Sequence, residues 1–170
     1  MDIYEVIEAR YAVRAYQQKP VEEDKLQRVL EAGRLAPSGS NRQPWKFVVV
    51  RDAALRKKLV PACCDQEFIG QAPVVIAAVG IMPERMMRCD VPGDPVDVAI
   101  ALEHMALAAV AEGLGTCWIG AFYQDQVRQV LEIPPSAKVI DLLTLGYPAD
   151  RSRPKTRKAM GEIVCYDRWV

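Results

Sequence analysis

The sequence predicts an α+β domain: buried strands flanked by helices, with one long helix covered on nearly every side. Three observations lead there. Phe47–Val50 and Pro73–Ile81 are apolar runs bounded by turn or charged residues, the pattern of buried strands, and Val139–Tyr147 returns as a long strand. From Pro95 to Glu112, apolar residues occupy most of the helical circumference, and a helix apolar nearly all round must be buried nearly all round. No G-x-G-x-x-G follows a strand and no Walker sequence occurs, which argues against a Rossmann dinucleotide domain. At 170 residues, 51% of them hydrophobic, the chain can bury a core of its own and is expected to form a single domain, residues 1–170.

In chain order, Ile3, Val6 and Ile7 oppose Glu5 and Glu8 on a short amphipathic helix that runs into Arg10. Arg10 and Arg14 are four residues apart and are expected to share one face of a helical turn. There they are either solvated surface charges or a pair of guanidiniums that hold a phosphate monoester. Residues 22–34 form the second helix, with Leu26, Val29, Leu30 and Gly33 on one face and Glu22, Glu23 and Asp24 at the positive end of its dipole. Pro37 biases Ala36 away from helical geometry and ends that run.

Beyond the first strand, Asp52 is the expected N-cap of a helix through Leu59 that Pro61 terminates. Residues 65–71 show no decisive pattern. Residues 82–93 form the longest irregular stretch, in which Met82, Met86 and Met87 either fill gaps in the core or make an adaptable lid over a flat ligand. Arg85 and Arg88 of the same stretch are placed to meet an anionic substrate. The long helix should have Asp94 as N-cap, Pro95 at its first position and Gly113 as its stop. His104 on that helix reads as a packed or capping residue, not a catalytic one. Leu114–Ile119 is a short strand, and Gly120 after it permits close backbone approach; Trp118 is either core or a ligand contact. Gln124–Leu131 form an amphipathic helix closed by Pro134-Pro135, and residues 161–166 a last strand.

The loop Ala36-Pro37-Ser38-Gly39-Ser40-Asn41-Arg42-Gln43-Pro44-Trp45 carries hydroxyls, carboxamides, a guanidinium and an indole in quick succession. Turn chemistry alone accounts for Pro, Ser, Gly and Asn between a helix and a strand. Their order, A-P-S-x-x-N-x-Q-P-W-x-F-V-V-V, resembles the flavin-binding loop of the nitroreductase family. Arg10-Tyr11-Ala12-Val13-Arg14-Ala15-Tyr16 is similar to that family's R-x-S-V-R-x-Y signature, Gly113–Gly120 to its second flavin segment, and Leu145-Gly146-Tyr147-Pro148 with Arg157-Lys158 to its carboxy-terminal one. Ala12 departs from the pattern by replacing the usual serine, so a backbone N–H or Arg14 must supply the missing donor.

The resemblance implies a mixed, mostly antiparallel sheet and a homodimer with the long helix at its interface. It implies FMN as cofactor, with Arg10, Tyr11, Ala12, Arg14 and Arg157 around the phosphate. Pro37, Ser38, Gly39, Asn41 and Gln43 would reach the ring from the other subunit, and the backbone of Ile119 and Gly120 would serve its N5 and O4 edge. Either NADH or NADPH would be the electron donor and a nitroaromatic, quinone or similar small molecule the acceptor, in a ping-pong cycle. No side chain is assigned as catalytic acid or base, because the chemistry belongs to the flavin. The alternatives are a flavin carrier or redox sensor, or other flavin chemistry such as reductive dehalogenation.

Charge and cysteine content narrow the classes further. Lys and Arg total 22 and Asp and Glu also 22, so no global field points to nucleic acid or an anionic membrane. The basic run Arg151, Arg153, Lys155, Arg157 and Lys158 is a local concentration, either a solvated arm or a phosphate site. Five cysteines without C-x-x-C spacing and a single histidine argue against a metal site. The adjacent Cys63 and Cys64 would be strained disulfide partners, and reduced thiols are the simpler reading. The start of the chain lacks a basic, then apolar, signal pattern, and no run reaches the roughly 20 apolar residues of a membrane span, so the cytoplasm is the expected location.

Overall fold

A computed structural model of the protein describes residues 1–152 and 154–169; Arg153 of the basic run and Val170 lie outside the described residues. Helix α1 (Ile3–Ala9) is opened by Asp2, whose carboxylate accepts from the Tyr4 and Glu5 N–H groups. Helix α2 (Glu23–Arg34) follows, and a 3₁₀ turn at Gly39–Asn41 leads into β1 (Trp45–Val50). Then come α3 (Ala53–Ala62), α4 (Phe68–Gln71), β2 (Val74–Gly80), α5 (Gly93–Ala111), β3 (Gly115–Ile119), α6 (Gln124–Leu131), β4 (Lys138–Gly146) and the short α7 (Met160–Ile163).

The strands form one sheet in the order β1-β2-β4-β3, with every neighbouring pair antiparallel. The sheet is thus antiparallel throughout, where a mixed one was expected; an isolated parallel bridge joins Ala12, which lies outside its strands, to Thr116. Strand β2 is buried at every position. Its alternate residues enter two different cores, which is why its sequence shows no polar alternation. Val75, Ala77 and Val79 pack with Leu59, Val60 and Val127 on one face; Val74, Ile76 and Ala78 pack with Leu26, Val29, Leu102 and Met105 on the other. The valine, leucine, isoleucine and methionine side chains among them each contribute about 1.5–3 kcal/mol when fully buried. Helices α3 and α6 therefore cover one side of the sheet, and α2 and α5 the other.

Several boundaries differ from the sequence expectation, each for a visible reason. Helix α5 begins at Gly93 with Pro92 as N-cap, not at Asp94. The Asp94 carboxylate is drawn away by the Met82 N–H, at 2.7 Å, and by Arg85. Pro95 sits in the first turn, where no intrahelical N–H is needed. Gly113, at φ 73°, ends the helix as expected. Pro61 lies within the last turn of α3; the stop comes from Cys64 and Asp65, both left-handed at φ 56° and 57°. Residues 161–166 are not a strand: α7 is followed by exposed irregular chain. Arg10 and Arg14 do not share a helical turn. Arg10 caps α1 in extended geometry, and Val13 donates its N–H to the Thr116 carbonyl at 2.9 Å, which draws the segment alongside β3.

Candidate functional site

The loop before β1 owes its shape to unusual backbone angles. Ser40, Asn41 and Gln43 all have positive φ, between 50° and 55°. Non-glycine residues persist there only when their surroundings hold them. The Ser38 hydroxyl accepts the Gln43 N–H at 2.8 Å, and the Gln43 amide donates to Asn41 Oδ1 at 3.1 Å. The loop is also tied to α5, because Gly39 donates its N–H to Asp97 Oδ1 at 3.0 Å.

Asp97 belongs to a buried ionic cluster. Its other oxygen pairs with Arg85, which also approaches Asp94 at 3.7 Å. The side chains of Arg85, Asp94 and Asp97 are 13%, 1% and 4% exposed. Gly93 makes room for them: a Cβ there would lie 2.1 Å from the Arg85 guanidinium carbon. Arg85 thus fastens residues 82–93 to α5 and, through Asp97, to the loop; it is not free to meet a substrate. The sequence signal for this cluster was Asp97 itself, a carboxylate near the start of an apolar helix, which must be paired if it is buried.

The second cluster lies around Tyr11, Ala12 and Arg14, which line a cavity of about 380 Å³ with Asp150 and Arg151. Asp150 was not singled out from sequence, yet it organises this corner. Its carboxylate accepts the Arg14 N–H at 2.9 Å, and its carbonyl accepts the Tyr11 hydroxyl at 3.0 Å. Desolvation and the Asp150 charge raise the Tyr11 phenol above its ordinary range. The backbone N–H of Arg14 is therefore already used by Asp150. Arg10 meets Glu103 at 3.7 Å, and the Arg14 side chain is exposed. Lys155 donates to the Glu8 carbonyl in the last turn of α1, which brings the tail bearing Arg157 back beside the Arg10 end of that helix. Arg157 is exposed and its guanidinium donates to the Thr156 carbonyl at 2.8 Å.

The third group is at the end of β3. Ile119 is buried, whereas Gly120 is exposed, and a Cβ there would be in ordinary contact with Asp141 Oδ1 at 3.7 Å. Trp118 pairs with Leu143, and Asp141, two residues along β4, points to the same face. Trp118 Nε1 and Asp141 Oδ1 are buried without hydrogen-bond partners among the described residues. Desolvation pushes the Asp141 carboxyl up to about 6.

These groups do not meet within one chain. The loop enters β1 at one edge of the sheet, while Ala12 lies beside β3 at the other. Trp45 pairs with Gly80, which pairs with Lys138, whereas Thr116 pairs with Leu145 near the far end of β4. From strand spacing and rise, the two clusters occupy diagonally opposite corners on the order of 25 Å apart.

The sequence profile of the Nitroreductase family matches residues 7–67 and 61–147. The chain belongs to the nitroreductase family. A Thermus thermophilus protein named NADH dehydrogenase is 29% identical over 92% of this chain and 92% of its own. A Bacillus subtilis protein named FMN reductase (NAD(P)H) is 30% identical over 86% of this chain and 66% of its own length. The crystal structure of a nitroreductase family protein from Clostridium difficile 630 superposes with a TM-score of 0.89 at 30% identity, covering 99% of this chain and 100% of that one. The nitroreductase fold is thus present over nearly its full length.

Proposed function

We propose that the protein is an FMN-dependent NAD(P)H oxidoreductase that passes electrons to a nitroaromatic, quinone or similar acceptor by a ping-pong mechanism, with two equivalent sites shared between the subunits of a homodimer. The observation that carries this reading is the separation of the two clusters: basic side chains at one corner of the sheet, a strained carboxamide loop at the other, and an uncovered apolar face between them. Helix α5 is half-buried at Leu107 and Ala108, and with Ile3, Val6 and Leu35 it lines a groove of about 560 Å³ that also includes His104. Ile3 is 56% and Leu35 62% exposed. Exposed apolar side chains of this size on α1 and at the end of α2, beside a helix apolar nearly all round, favour a two-fold partner. Such a partner would bring the loop of one chain to the basic corner of the other.

The residues present suit FMN. Arg10, Arg14 and Arg157 would hold the phosphate, with Tyr11 and Ala12 forming the floor of that corner. Pro37, Ser38, Gly39, Asn41 and Gln43 of the other chain would border the ring. The exposed backbone at Gly120 and the unpartnered Trp118 Nε1 suit a flat group with a polar rim against β3. FMN, when bound, supplies the hydride acceptor and donor chemistry, and the protein binds and orients. The chain's own residues then hold the phosphate, fix the loop through Asp97, and keep water from the β3 face.

Denaturation of the purified protein should release FMN and no FAD. Anaerobic mixing with NADH or NADPH should bleach the flavin absorbance within seconds, and a nitroaromatic or quinone should restore it. Flavin that stays oxidised with both nucleotides would indicate a carrier instead.

A further inference from the structure

Residues 82–88 and the 3₁₀ turn enclose a cavity of about 540 Å³ that the fastening of Arg85 leaves open. Its walls combine two chemistries. Met82, Met86 and Met87 provide polarisable apolar surface, and Arg42 and Arg88 provide positive charge. Arg42 donates one N–H to the Gly39 carbonyl at 3.0 Å, leaving most of its five donors unused. Arg88 makes no hydrogen bond or ion pair among the described residues. No carboxylate lines the cavity: the acids of the same stretch, Glu84 and Asp90, are exposed and outside it, and Asp94 and Asp97 are committed to Arg85.

The cavity is built rather than left over. Arg85 donates its N–H to the Met82 carbonyl at 2.9 Å, Met87 to Val91 at 2.9 Å, and Gly93 to Arg85 at 2.9 Å, while Met86 bridges Pro92. The buried Arg85–Asp97 pair then fixes this hydrogen-bonded stretch against the loop that carries Ser38 and Asn41.

We propose that this cavity is a subsite for the anionic group of a flat substrate, the methionines packing on its ring and Arg42 and Arg88 binding its carboxylate, sulfonate or phosphate. The inference rests on the reductase reading and adds the substrate class to it. In a ping-pong cycle donor and acceptor use the same space in turn, so the anion belongs either to the nucleotide donor or to the acceptor. Planar guanidiniums suit both.

Two matched pairs separate the sources: 4-nitrobenzoate against the similarly shaped, neutral 4-nitrobenzamide as acceptors, and NADPH against NADH as donors. In Arg88→Gln and in the double variant Arg42→Gln/Arg88→Gln, the kcat/KM ratio of the more anionic member to its mate should fall by about tenfold or more, the loss expected for a charge-assisted hydrogen bond. A fall in the nitrobenzoate ratio places the acceptor's anion here, and a fall in the NADPH ratio the donor's. Ratios unchanged in both pairs overturn the proposal. Equilibrium dialysis of 4-nitrobenzoate and of NADP+ against the FMN-loaded protein repeats the comparison without turnover. A wild-type protein that fails to turn over sinks the reductase reading, while affinities that do not change between wild type and the double variant sink the subsite.

Discussion

Asp97 Oδ1 accepts the backbone N–H of Gly39 at 3.0 Å, so that a carboxylate one turn into α5 holds the loop before β1. Its other oxygen is paired with Arg85, and the three buried side chains carry two negative charges to one positive. Arg85→Met should be the most damaging change in the cluster, costing about 3–5 kcal/mol, because it leaves two buried carboxylates without a cation. Asp97→Asn, which keeps the shape and one acceptor, should cost less. Urea denaturation midpoints at constant slope will rank the two; the opposite order would mean that Asp94 and Asp97 are stabilised without Arg85.

Asp141 gives a pH dependence of definite sign. Burial raises its carboxyl to about 6 in the folded chain, above the ordinary 3.8, so the folded state holds the proton where the unfolded state has lost it. Stability therefore falls as pH rises from about 4 to 6, and the cost is complete above that range. Asp141→Asn should stabilise the apo-protein at pH 8 by about 1–2 kcal/mol, with the shift discounted for partial exposure, and by nearly nothing below pH 4. Thermal unfolding of both proteins at the two pH values tests this; an equal effect at both would assign the gain to packing.

Arg10→Ala should weaken FMN binding by about 1.5–3 kcal/mol, the range for hydrogen bonds to a charged group. Its contact with Glu103, at 3.7 Å on the surface, contributes little to stability, so the fold should survive the change. Titration of the apo-variant followed by flavin fluorescence measures the loss. Unchanged affinity would move the phosphate elsewhere.

Leu107→Glu places a charge in the groove beside Ile3 and Leu35. The variant should sediment as a monomer and lose tight FMN binding, because under the proposed shared site half of each site would leave with the partner. A folded Leu107→Glu monomer that retains FMN would confine the site to one chain.

Much of the architecture was legible because its signals are local. The apolar runs of β2 and β4 and the circumference of α5 needed no knowledge of partners. What failed to read was decided by distant residues. Arg10 and Arg14 have helical spacing, but the Thr116 carbonyl takes the Val13 N–H and straightens the segment. Asp94 looked like an N-cap because nothing in the sequence revealed that Met82 and Arg85 would claim it. Asp150 takes the backbone N–H of Arg14, a contact across 136 positions of sequence that no local pattern announces. Residues 163–166 are a short apolar run but pair with no strand among the described residues, and a strand without a neighbour does not persist.

The separation of the basic corner from the carboxamide loop is tested most directly by mixed dimers. Arg10→Ala chains and Asn41→Ala chains, carrying different affinity tags, are combined and the doubly tagged heterodimers isolated. Their FMN sites are then counted by titration and by the amplitude of anaerobic reduction with NADPH. If each site draws Arg10 from one chain and Asn41 from the other, one site per heterodimer keeps wild-type affinity and reduction rate, and the second carries both defects. Heterodimers with two singly damaged sites and none of wild-type character would show that Arg10 and Asn41 of the same chain serve one flavin, and would contradict the shared site.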